Sequence, residues 1–413
     1  MLKIYYNNCC GIDVHKKMLV ATIAITNEQK VTTYQTKQFS TITKDIYRLK
    51  QWLADNKCKD VCMESTGKYW IPIFNILETS CKVIITHPKY VRAIPGKKTD
   101  TKDSIWIADI FKHGLVEGSF MPSLQIRQLR DLMRYRYKLM NCRTSEKNRF
   151  QNSLTVSNIM ISNVVTDTFG KTSQSILQLL LSKNDNLTME EISPLLRKGL
   201  KSSPQEILDS VQGNLTNEQN SKMKICLNHY DNINECIDKI EEVVIPLIKD
   251  YQREIELLLT VPGVKDTSAI VILSEIGADM TVFKSANHLC SWSGLTPQNN
   301  ESAGKKKSVK ISRAGIYLKP LLVQCANNAI RDKSCEYFKL RYEAIKKRRG
   351  HKRAIIAIAR MLLTCIYNML LKNEPFNNEL YKNLTNSNFK CKNTKLNINN
   401  AIKYLEAQGY KVS

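Results

Sequence analysis

Two carboxylates interrupt apolar runs near the start of the chain. Asp13 lies within Gly11-Ile12-Asp13-Val14, and Glu64 ends Val61-Cys62-Met63-Glu64. A charge inside an apolar strand is costly unless it is paired or binds a metal. Because two acids that end or interrupt strands of one sheet can converge on a single point, both residues are candidate metal ligands.

A second pair of acids follows in Lys98-Thr99-Asp100-Thr101-Lys102-Asp103. The i, i+3 spacing of Asp100 and Asp103 places both carboxylates on one face at the start of a helix. Four oxygen donors suit one or two Mg²⁺ ions, and two ions about 4 Å apart can clamp a phosphodiester during displacement. Each acid alone is explained as a strand-end residue, an N-cap or a first-turn acid. All four in this order favour a metal site.

A serine in the second half stands at the head of a basic loop. Ser302-Ala303-Gly304 is followed by the cations Lys305, Lys306, Lys307, Lys310 and Arg313. A serine nucleophile needs a base or metal to accept its proton and positive charge to stabilise the transition state. The lysines supply charge, but no neighbouring His or acid supplies the base. The residues alone are therefore more typical of a solvated serine that contacts phosphate.

Three further segments are open to two interpretations each. Val261-Pro262-Gly263-Val264 is a tight turn that either presents backbone N–H groups to a phosphate or joins a plain helical hairpin. The runs Arg134–Lys138 and Lys346–Arg349 fit either nucleic-acid contacts or solvated helix faces.

The composition favours a polyanionic partner. The 413 residues carry 62 Lys and Arg against 38 Asp and Glu, a formal net charge of +24. Such an excess is typical of proteins that bind nucleic acid, although a Lys-, Asn- and Ile-rich composition also follows from an AT-rich genome. The length predicts two or three domains and excludes a small disulfide-stapled scaffold.

The cysteines and apolar segments indicate a cytoplasmic protein. The 13 cysteines are scattered without zinc-ligand spacing, so we expect reduced thiols. The first ten residues lack the pattern of a signal peptide. Ala354–Leu371 is long and apolar, but Arg360 at its centre favours a buried core helix over a membrane span.

The elements that must position the acids are strands and helices in alternation. The pattern predicts strands over Cys10–Val14, Met18–Thr26, Val31–Phe39, Asp60–Glu64 and Lys82–Thr86, with helices around Leu49 and over Tyr69–Leu77. This order predicts a mixed sheet covered by helices.

The middle of the chain has a heptad-like apolar seam. Its members are spaced alternately by three and four residues: Met223, Cys226, Tyr230, Ile233, Ile237, Ile240, Val244, Leu247 and Tyr251. This pattern predicts a coiled coil or a long helical hairpin, with a possible kink at Pro246. The next unit is predicted to be mostly helical apart from a loop over Leu295–Lys310.

The segments GIDVHKK, MESTGKYW and PKYVRAIPGKKTDTKDSIWIADIF resemble the amino-terminal domain of the DEDD transposases of bacterial insertion-sequence family 110, the bridge-RNA-guided recombinases. The resemblance implies a RuvC-like, RNase H-type fold. It assigns the family's acidic tetrad, and thus the Mg²⁺ ligands, to Asp13, Glu64, Asp100 and Asp103.

The segments TVPGVKDTSAIVILSEIG and FKSANHLCSWSGLTPQNNESAGKKKSVKISRAGIYLKPLL are similar to the carboxy-terminal transposase domain of the same family. In that domain a loop serine attacks DNA, and Ser302 is the corresponding residue. Ala303 stands where the family usually has Gly, and Glu301 stands where a second small residue is common. Ser308 and Ser312 are therefore alternative nucleophiles.

The resemblance, the apolar periodicity and the composition together divide the chain into four regions: a RuvC-like nuclease domain at 1–121, a helical or coiled-coil linker and oligomerisation region at 122–254, a transposase domain at 255–371, and an Asn- and Lys-rich tail at 372–413. The resulting fold class is α/β plus all-α. We expect the nucleic-acid contacts to come from Lys97, Lys98, Lys305, Lys306, Lys307, Lys310 and Arg313.

The expected function is that of a DNA recombinase or transposase that uses Mg²⁺ and Ser302, with element DNA, target DNA and a structured bridge RNA as partners. The distance in sequence between the two sites suggests that they meet between protomers of a dimer or tetramer. We expect no membrane association and a bacterial, nucleoid-associated location. The alternatives are a hydrolytic RuvC-type nuclease and a non-catalytic, basic nucleic-acid-binding protein.

Overall fold

A computed structural model describes residues 2–65, 67–88, 91, 100–197, 199–297, 300–302, 305–308 and 310–379, of which 300–302 and 305–308 are described as backbone alone. Lys97, Lys98 and most of the predicted tail lie outside these residues. The chain forms two compact units, Met1–Leu124 and Gln125–Ser413.

Unit 1 is a five-stranded mixed sheet covered by helices. Its elements are β1 Asn8–Val14, β2 Met18–Thr26, β3 Thr32–Ser40, α1 Thr43–Asp55, β4 Asp60–Glu64, α2 Trp70–Leu77, β5 Lys82–Thr86 and α3 Asp100–Lys112. The strand order is β3-β2-β1-β4-β5. β1, β2 and β3 form an antiparallel meander, whereas β4 pairs parallel with both β1 and β5. The predicted fold class of this region is confirmed, with strand boundaries that differ by at most two residues.

β1, β2 and β4 are apolar on both faces because helices cover both, whereas β3 is polar and largely exposed. Alternate residues of a strand point to opposite faces. Cys10 and Ile12 face α1 and α2, where they join Leu49 and Leu53 in one core. Cys9 faces the other side and joins Phe111 of α3 in a second core. Each fully buried Leu contributes about 1.5–3 kcal/mol, so the helices are held firmly on both faces.

Unit 2 is mostly helical. Its helices are α4 Leu124–Val156, α5 Lys171–Lys183, α6 Met189–Ile192, α7 Pro204–Val211, α8 Asn217–Ile248, α9 Gln252–Leu259, α10 Asp266–Ile276, α11 Ala286–Trp292, α12 Leu318–Ala329, α13 Glu336–Arg349 and α14 His351–Lys372. Its strands are β6 Asn300–Ser302 and β7 Lys305–Ser308. The expectation of a plain loop over Leu295–Lys310 is therefore wrong, because this segment contains an antiparallel hairpin.

The predicted apolar seam lies on α8 and is buried inside one chain. Ile233, Ile237, Ile240 and Val244 are each at most 8% exposed, and Pro246 lies within the helix without ending it.

α4 runs antiparallel to α8 at this seam. Arg136 of α4 contacts Glu241 of α8, Arg143 contacts Asn234, and Glu146 contacts His229. Residue numbers therefore rise along α4 while those of its partners on α8 fall. This pairing leaves the two alternatives, a coiled coil and a long helical hairpin, open. A seam that is already covered is not available to a second copy.

Among the helices that the structure describes, one, α14, is long and apolar enough to cross a membrane, but half of its most apolar window is buried inside the protein. Ile358, Leu362 and Ile366 are fully buried. This burial agrees with the interpretation of α14 as a core helix of unit 2. The cysteines in the described part of the chain are free thiols.

Candidate active site

Asp13 and Glu64 lie at the same edge of the sheet. β1 and β4 are parallel neighbours in which Ile12 pairs with Met63, so the residues that follow, Asp13 and Glu64, stand side by side at the carboxyl ends of both strands. Since Asp13 is two residues after Gly11 and Glu64 two residues after Cys62, both side chains are on the face covered by α3.

A close backbone approach brings α3 to this face. A Cβ atom on Gly11 would lie 2.3 Å from the backbone nitrogen of Ala108 and 2.5 Å from the carbonyl oxygen of Ser104. Ser104 also hydrogen-bonds through its hydroxyl to Thr22 of β2 at 2.7 Å. The helix therefore crosses β1 directly at Gly11, a position that no larger residue can occupy.

The direction of α3 places its first turn at the end of β1 that carries Asp13. The Cys9 thiol donates to the carbonyl oxygen of Ala108 at 3.7 Å, whereas Ser104 lies at Gly11, so α3 runs antiparallel to β1. Asp100 and Asp103, in the first turn of α3, thus lie toward the end of β1 that carries Asp13. The structure brings all four predicted acids to one edge of unit 1.

His15 joins this cluster and was not predicted. Its Nε2 lies 3.2 Å from Oδ2 of Asp13 and 3.4 Å from Oδ1 of Asp100. The backbone N–H of His15 donates to the carbonyl oxygen of Met18 at 2.9 Å, which fixes the tight turn after β1. The available signal was a histidine two residues after a buried aspartate, which points to chemistry only when the turn is known.

The electrostatics of Asp13 show how closely the acids gather. Burial raises the pKa of Asp13 above its ordinary value, the negative charges of Asp103 and Glu64 raise it further, and His15 opposes this rise through its charge and its hydrogen bond. The Asp13 side chain is 11% exposed. A buried carboxylate among like charges is costly unless a cation compensates it.

These residues fit a divalent metal ion. The ligand atoms of Asp13, His15 and Asp100 all lie within 4.8 Å of one another. Carboxylate oxygens suit Mg²⁺ and Mn²⁺, and an imidazole nitrogen suits transition metals more than Mg²⁺. The family's acidic pattern and this geometry both indicate dependence on a divalent metal, without specifying which one.

The predicted serine belongs to the β6–β7 hairpin. Ser302 pairs with Lys305, and Asn300 pairs with Ser308, with an irregularity at Asn300 and Glu301. The side chains of Ser302, Lys305, Lys306 and Lys307 lie outside the described part of the structure. Lys310 and Arg313, which follow the hairpin, are exposed. The Ser312 hydroxyl accepts a hydrogen bond from the Ala314 N–H at 3.3 Å.

The base of the hairpin is held by contacts that the sequence did not reveal. Pro297 and Ile311 form an isolated antiparallel bridge below the strands. A Cβ atom on Gly315 would lie 2.1 Å from the carbonyl oxygen of Ser293, and Gly315 has a φ of +67°. Only glycine satisfies both conditions.

Lys319 hydrogen-bonds to the segment that follows the hairpin. Its Nζ donates to the carbonyl oxygens of Ser312 at 2.7 Å and Ala314 at 2.9 Å. Burial lowers the pKa of Lys319. The lysine therefore holds the chain where it leaves the hairpin, instead of extending into solvent.

The aromatic and basic run of α4 is largely structural. Arg134 donates through Nε and Nη2 to the Glu275 carboxylate at 2.7 and 2.8 Å, and its guanidinium lies 4.7 Å from the ring centroid of Tyr317. Arg136 pairs with Glu241, and Tyr137 packs edge-on against Tyr317. Much of this run is thus occupied within unit 2, and neither of the two interpretations fits these residues.

The turn at Val261–Val264 also has a packing explanation. A Cβ atom on Gly263 would lie 2.3 Å from the carbonyl oxygen of Cys325 and 2.7 Å from the nitrogen of Ala329. Gly263 therefore allows the turn to lie against α12. This contact favours the interpretation of the turn as a plain helical hairpin.

Two family models match the chain in the order of its two units. Residues 10–159 match the DEDD transposase model of the IS110 type, described as a transposase. Residues 255–343 match the model described as the transposase IS116/IS110/IS902 family. Together these stretches cover more than half of the 413 residues.

The chain is also similar to two bacterial proteins whose names state a function. It is 29% identical over 166 residues to the pilin gene-inverting protein of Moraxella bovis. The matched stretch covers 37% of this chain and 49% of that protein. This chain is 27% identical over 146 residues to the transposase for insertion sequence element IS1111A of Coxiella burnetii, covering 31% and 39%. The chain thus matches about half the length of these relatives or less.

Both family models place their matches on the units that carry the acidic cluster and the serine hairpin, and the mixed sheet of unit 1 is consistent with a RuvC-like DEDD domain. The chain belongs to the IS110 family of transposases.

Proposed function

We propose that this protein is a DNA recombinase that moves or inverts a DNA segment by cutting and rejoining strands. The observation that carries the proposal is the convergence of Asp13, Glu64 and the first turn of α3 at one sheet edge, with the charges of Asp103 and Glu64 acting on Asp13. The names of the relatives, a pilin gene-inverting protein and a transposase, support DNA as the substrate.

The acidic cluster binds Mg²⁺ in this proposal. Asp13, Glu64, Asp100 and Asp103 hold the cation, and His15 orients Asp13 and Asp100 or adds a ligand of its own. When bound, the cation supplies a Lewis acid that polarises the scissile phosphate and favours ionisation of a nearby hydroxyl. The raised pKa of Asp13 supports this assignment, since a divalent cation offsets the repulsion among the carboxylates.

Ser302 is the nucleophile. Its Oγ forms a bond to the phosphorus while the bond from phosphorus to O3′ breaks, which leaves DNA joined to the serine and a free 3′ end. The serine proton passes to solvent, and O3′ takes a proton in return. Attack of a 3′ hydroxyl from another strand then reverses the step and releases Ser302. Lys305, Lys306, Lys307, Lys310 and Arg313 bind the phosphates around this site.

Lys97 and Lys98, which precede Asp100 in the sequence, bind nucleic acid in this proposal. Sequence choice is delegated to a structured bridge RNA that pairs with donor and target DNA, as the resemblance implies. The active assembly is a dimer or tetramer in which the acidic cluster and Ser302 act on one strand, and it works in the bacterial cytoplasm at the nucleoid.

The test is a covalent protein–DNA adduct. Purified protein is incubated with element DNA, its flanking RNA and Mg²⁺, and then denatured. We expect an adduct that is lost in Ser302→Ala and in Asp13→Ala but kept in Ser308→Ala and Ser312→Ala. Loss in Ser308→Ala or Ser312→Ala alone moves the nucleophile to that residue.

Two other outcomes would replace the proposal. Free nicked DNA that persists in Ser302→Ala but disappears in Asp13→Ala or Glu64→Ala indicates a hydrolytic nuclease, in which the acidic cluster activates water. Binding without cleavage in the presence of Mg²⁺ or Mn²⁺ indicates a non-catalytic binder.

A further inference from the structure

The junction between α13 and α14 carries an exposed cationic surface. All eight residues from Lys346 to Arg353 are exposed. Six of them are cations, which we call the junction cations: Lys346, Lys347, Arg348, Arg349, Lys352 and Arg353. No other run considered above places so many exposed cations in so few residues.

The junction cations lack acidic partners. In the part of the chain that the structure describes, none of the six forms an ion pair with Asp or Glu. Lys346 lies over the ring of Tyr342 at 5.4 Å, a contact that attracts the ammonium but supplies no negative charge. Crowded like charges repel one another, so this arrangement lowers the stability of the free protein.

The helix ends make the arrangement more unusual. Lys346 to Arg349 occupy the last turn of α13, where cations interact favourably with the helix dipole. Lys352 and Arg353 occupy the first turn of α14, which holds no acid and where cations are unfavourable. Folding alone does not explain these two residues, whereas an anion bound at the junction compensates all six.

The junction is rigid enough to present a fixed surface. α14 is anchored by fully buried residues from its first turn onward, among them Ala354 and Ile358. The hydroxyl of Tyr342 hydrogen-bonds to Nδ1 of His351 at 2.8 Å, which ties α13 to α14 across the turn.

Gly350 makes the turn between the two helices with a φ of +78°. A Cβ atom there would meet nothing within 4 Å. The backbone at the junction is therefore open to a partner from outside.

We propose that the junction cations bind the phosphate backbone of duplex DNA. The occupant follows from charge complementarity, because a row of uncompensated cations on a rigid corner suits a regularly spaced polyanion. The choice of duplex DNA rests on the proposed function. The contacts are to phosphates and carry no sequence information, so the junction holds DNA irrespective of its sequence.

Two variants with equal loss of charge test the proposal. The junction variant combines Lys347→Gln, Arg348→Gln, Arg349→Gln and Arg353→Gln. The matched variant removes four exposed lysines of α8 and the turn after it: Lys222→Gln, Lys224→Gln, Lys239→Gln and Lys249→Gln. Each lowers the formal net charge of +24 by four, so an effect of overall charge is the same in both.

The measurement is the affinity for a labelled duplex as salt is varied, with EDTA present so that binding is separated from cleavage. For the junction variant we expect affinity at least about tenfold weaker, and a slope of log affinity against log salt that is shallower by about 3 to 4. The matched variant keeps the wild-type slope. Circular dichroism and thermal melting verify that both variants are folded.

Equal slopes for the two variants overturn the proposal, as does a wild-type protein that does not bind duplex DNA. A junction variant that loses affinity for an RNA hairpin of the same length but not for duplex DNA also overturns it. The proposed function is judged separately, because the adduct assay at saturating DNA depends on Ser302 and Asp13. Adduct formation by the junction variant at saturating DNA supports the proposed function, whatever the affinity measurement shows about the junction cations.

Discussion

A Cβ atom on Gly11 would lie 2.3 Å from the backbone nitrogen of Ala108, so the contact between β1 and α3 depends on the absence of a side chain. This contact sets the height of α3 above the sheet. It thereby decides whether Asp100 and Asp103 reach Asp13, although Gly11 itself offers no chemistry.

Gly11→Ala is expected to displace α3 from the acidic cluster. The added methyl group meets backbone atoms that cannot rotate away, so we expect a loss of about 1–3 kcal/mol in the free energy of unfolding and weaker binding of Mn²⁺. Thermal melting and calorimetric titration measure the two effects. Gly170→Ala in unit 2 is the control, and unchanged Mn²⁺ affinity in Gly11→Ala would contradict the proposed dependence.

Asp13→Asn is expected to raise the melting temperature of the metal-free protein at neutral pH. Because burial, Asp103 and Glu64 raise the pKa of Asp13 in the folded state, the ionised form lowers stability above that pKa, and stability is regained as the pH falls through it. The difference between variant and wild type should therefore shrink on acidification. Asp238→Asn, an exposed change on α8, should show no such pH dependence.

His15→Ala is expected to weaken divalent metal binding by about 10- to 100-fold, since residues that orient metal ligands contribute on that scale. Affinity for Mn²⁺ should fall more than affinity for Mg²⁺ if the imidazole is itself a ligand. Calorimetric titration of both ions measures this. His113→Ala, at the other end of α3, is the control; equal affinities in the two variants would exclude His15 from the site.

Glu275→Ala is expected to destabilise unit 2 by about 1–3 kcal/mol, because it removes the bidentate carboxylate partner of Arg134, whose side chain is still partly solvated. The double variant Arg134→Leu with Glu275→Leu should recover much of this loss, since no unpaired charge remains. Urea unfolding of the single and double variants measures the coupling. Equal stability of the two would show that the ion pair contributes little.

Lys319→Met is expected to slow adduct formation without weakening DNA binding. The change keeps the apolar stem but removes the donor to the carbonyl oxygens of Ser312 and Ala314, and a hydrogen bond of this kind contributes about 0.5–1.5 kcal/mol. The rate of adduct formation at saturating DNA and the dissociation constant separate the two effects. Lys333→Met, an exposed lysine beyond α12, is the control. A change in dissociation constant alone would assign Lys319 to binding instead.

Residue patterns in the sequence identified the four acids of the acidic cluster but not its histidine. Asp13 and Glu64 were recognisable because a charge within an apolar strand is anomalous wherever the strand lies, and the spacing of Asp100 and Asp103 indicated a shared helix face. His15 was not recognisable, because its approach to Asp13 and Asp100 depends on the turn after β1 and on the position of α3.

In unit 2, residue patterns predicted elements but not the partners against which they pack. The apolar spacing along α8 predicted a long helix with a buried face, but the partner of that face is α4, which the spacing could not identify. The aromatic and basic run on α4 suggests either nucleic-acid contacts or a solvated helix face, whereas Arg134 and Arg136 are paired with carboxylates more than 100 residues away. A periodic pattern depends on residues that are close in sequence, whereas the partner of a side chain can lie far away in the sequence.

Apolar periodicity was enough to establish the five strands of unit 1, the helices α1, α2 and α8 and the anomalous acids, because periodicity and the cost of a buried charge act within a few residues. The tertiary structure decided what depends on contacts distant in sequence: the approach of α3 at Gly11, the place of His15, and the ion pair between Arg134 and Glu275. These contacts arise when separate elements pack together, and packing follows from the shapes of whole elements, which short-range spacing does not encode.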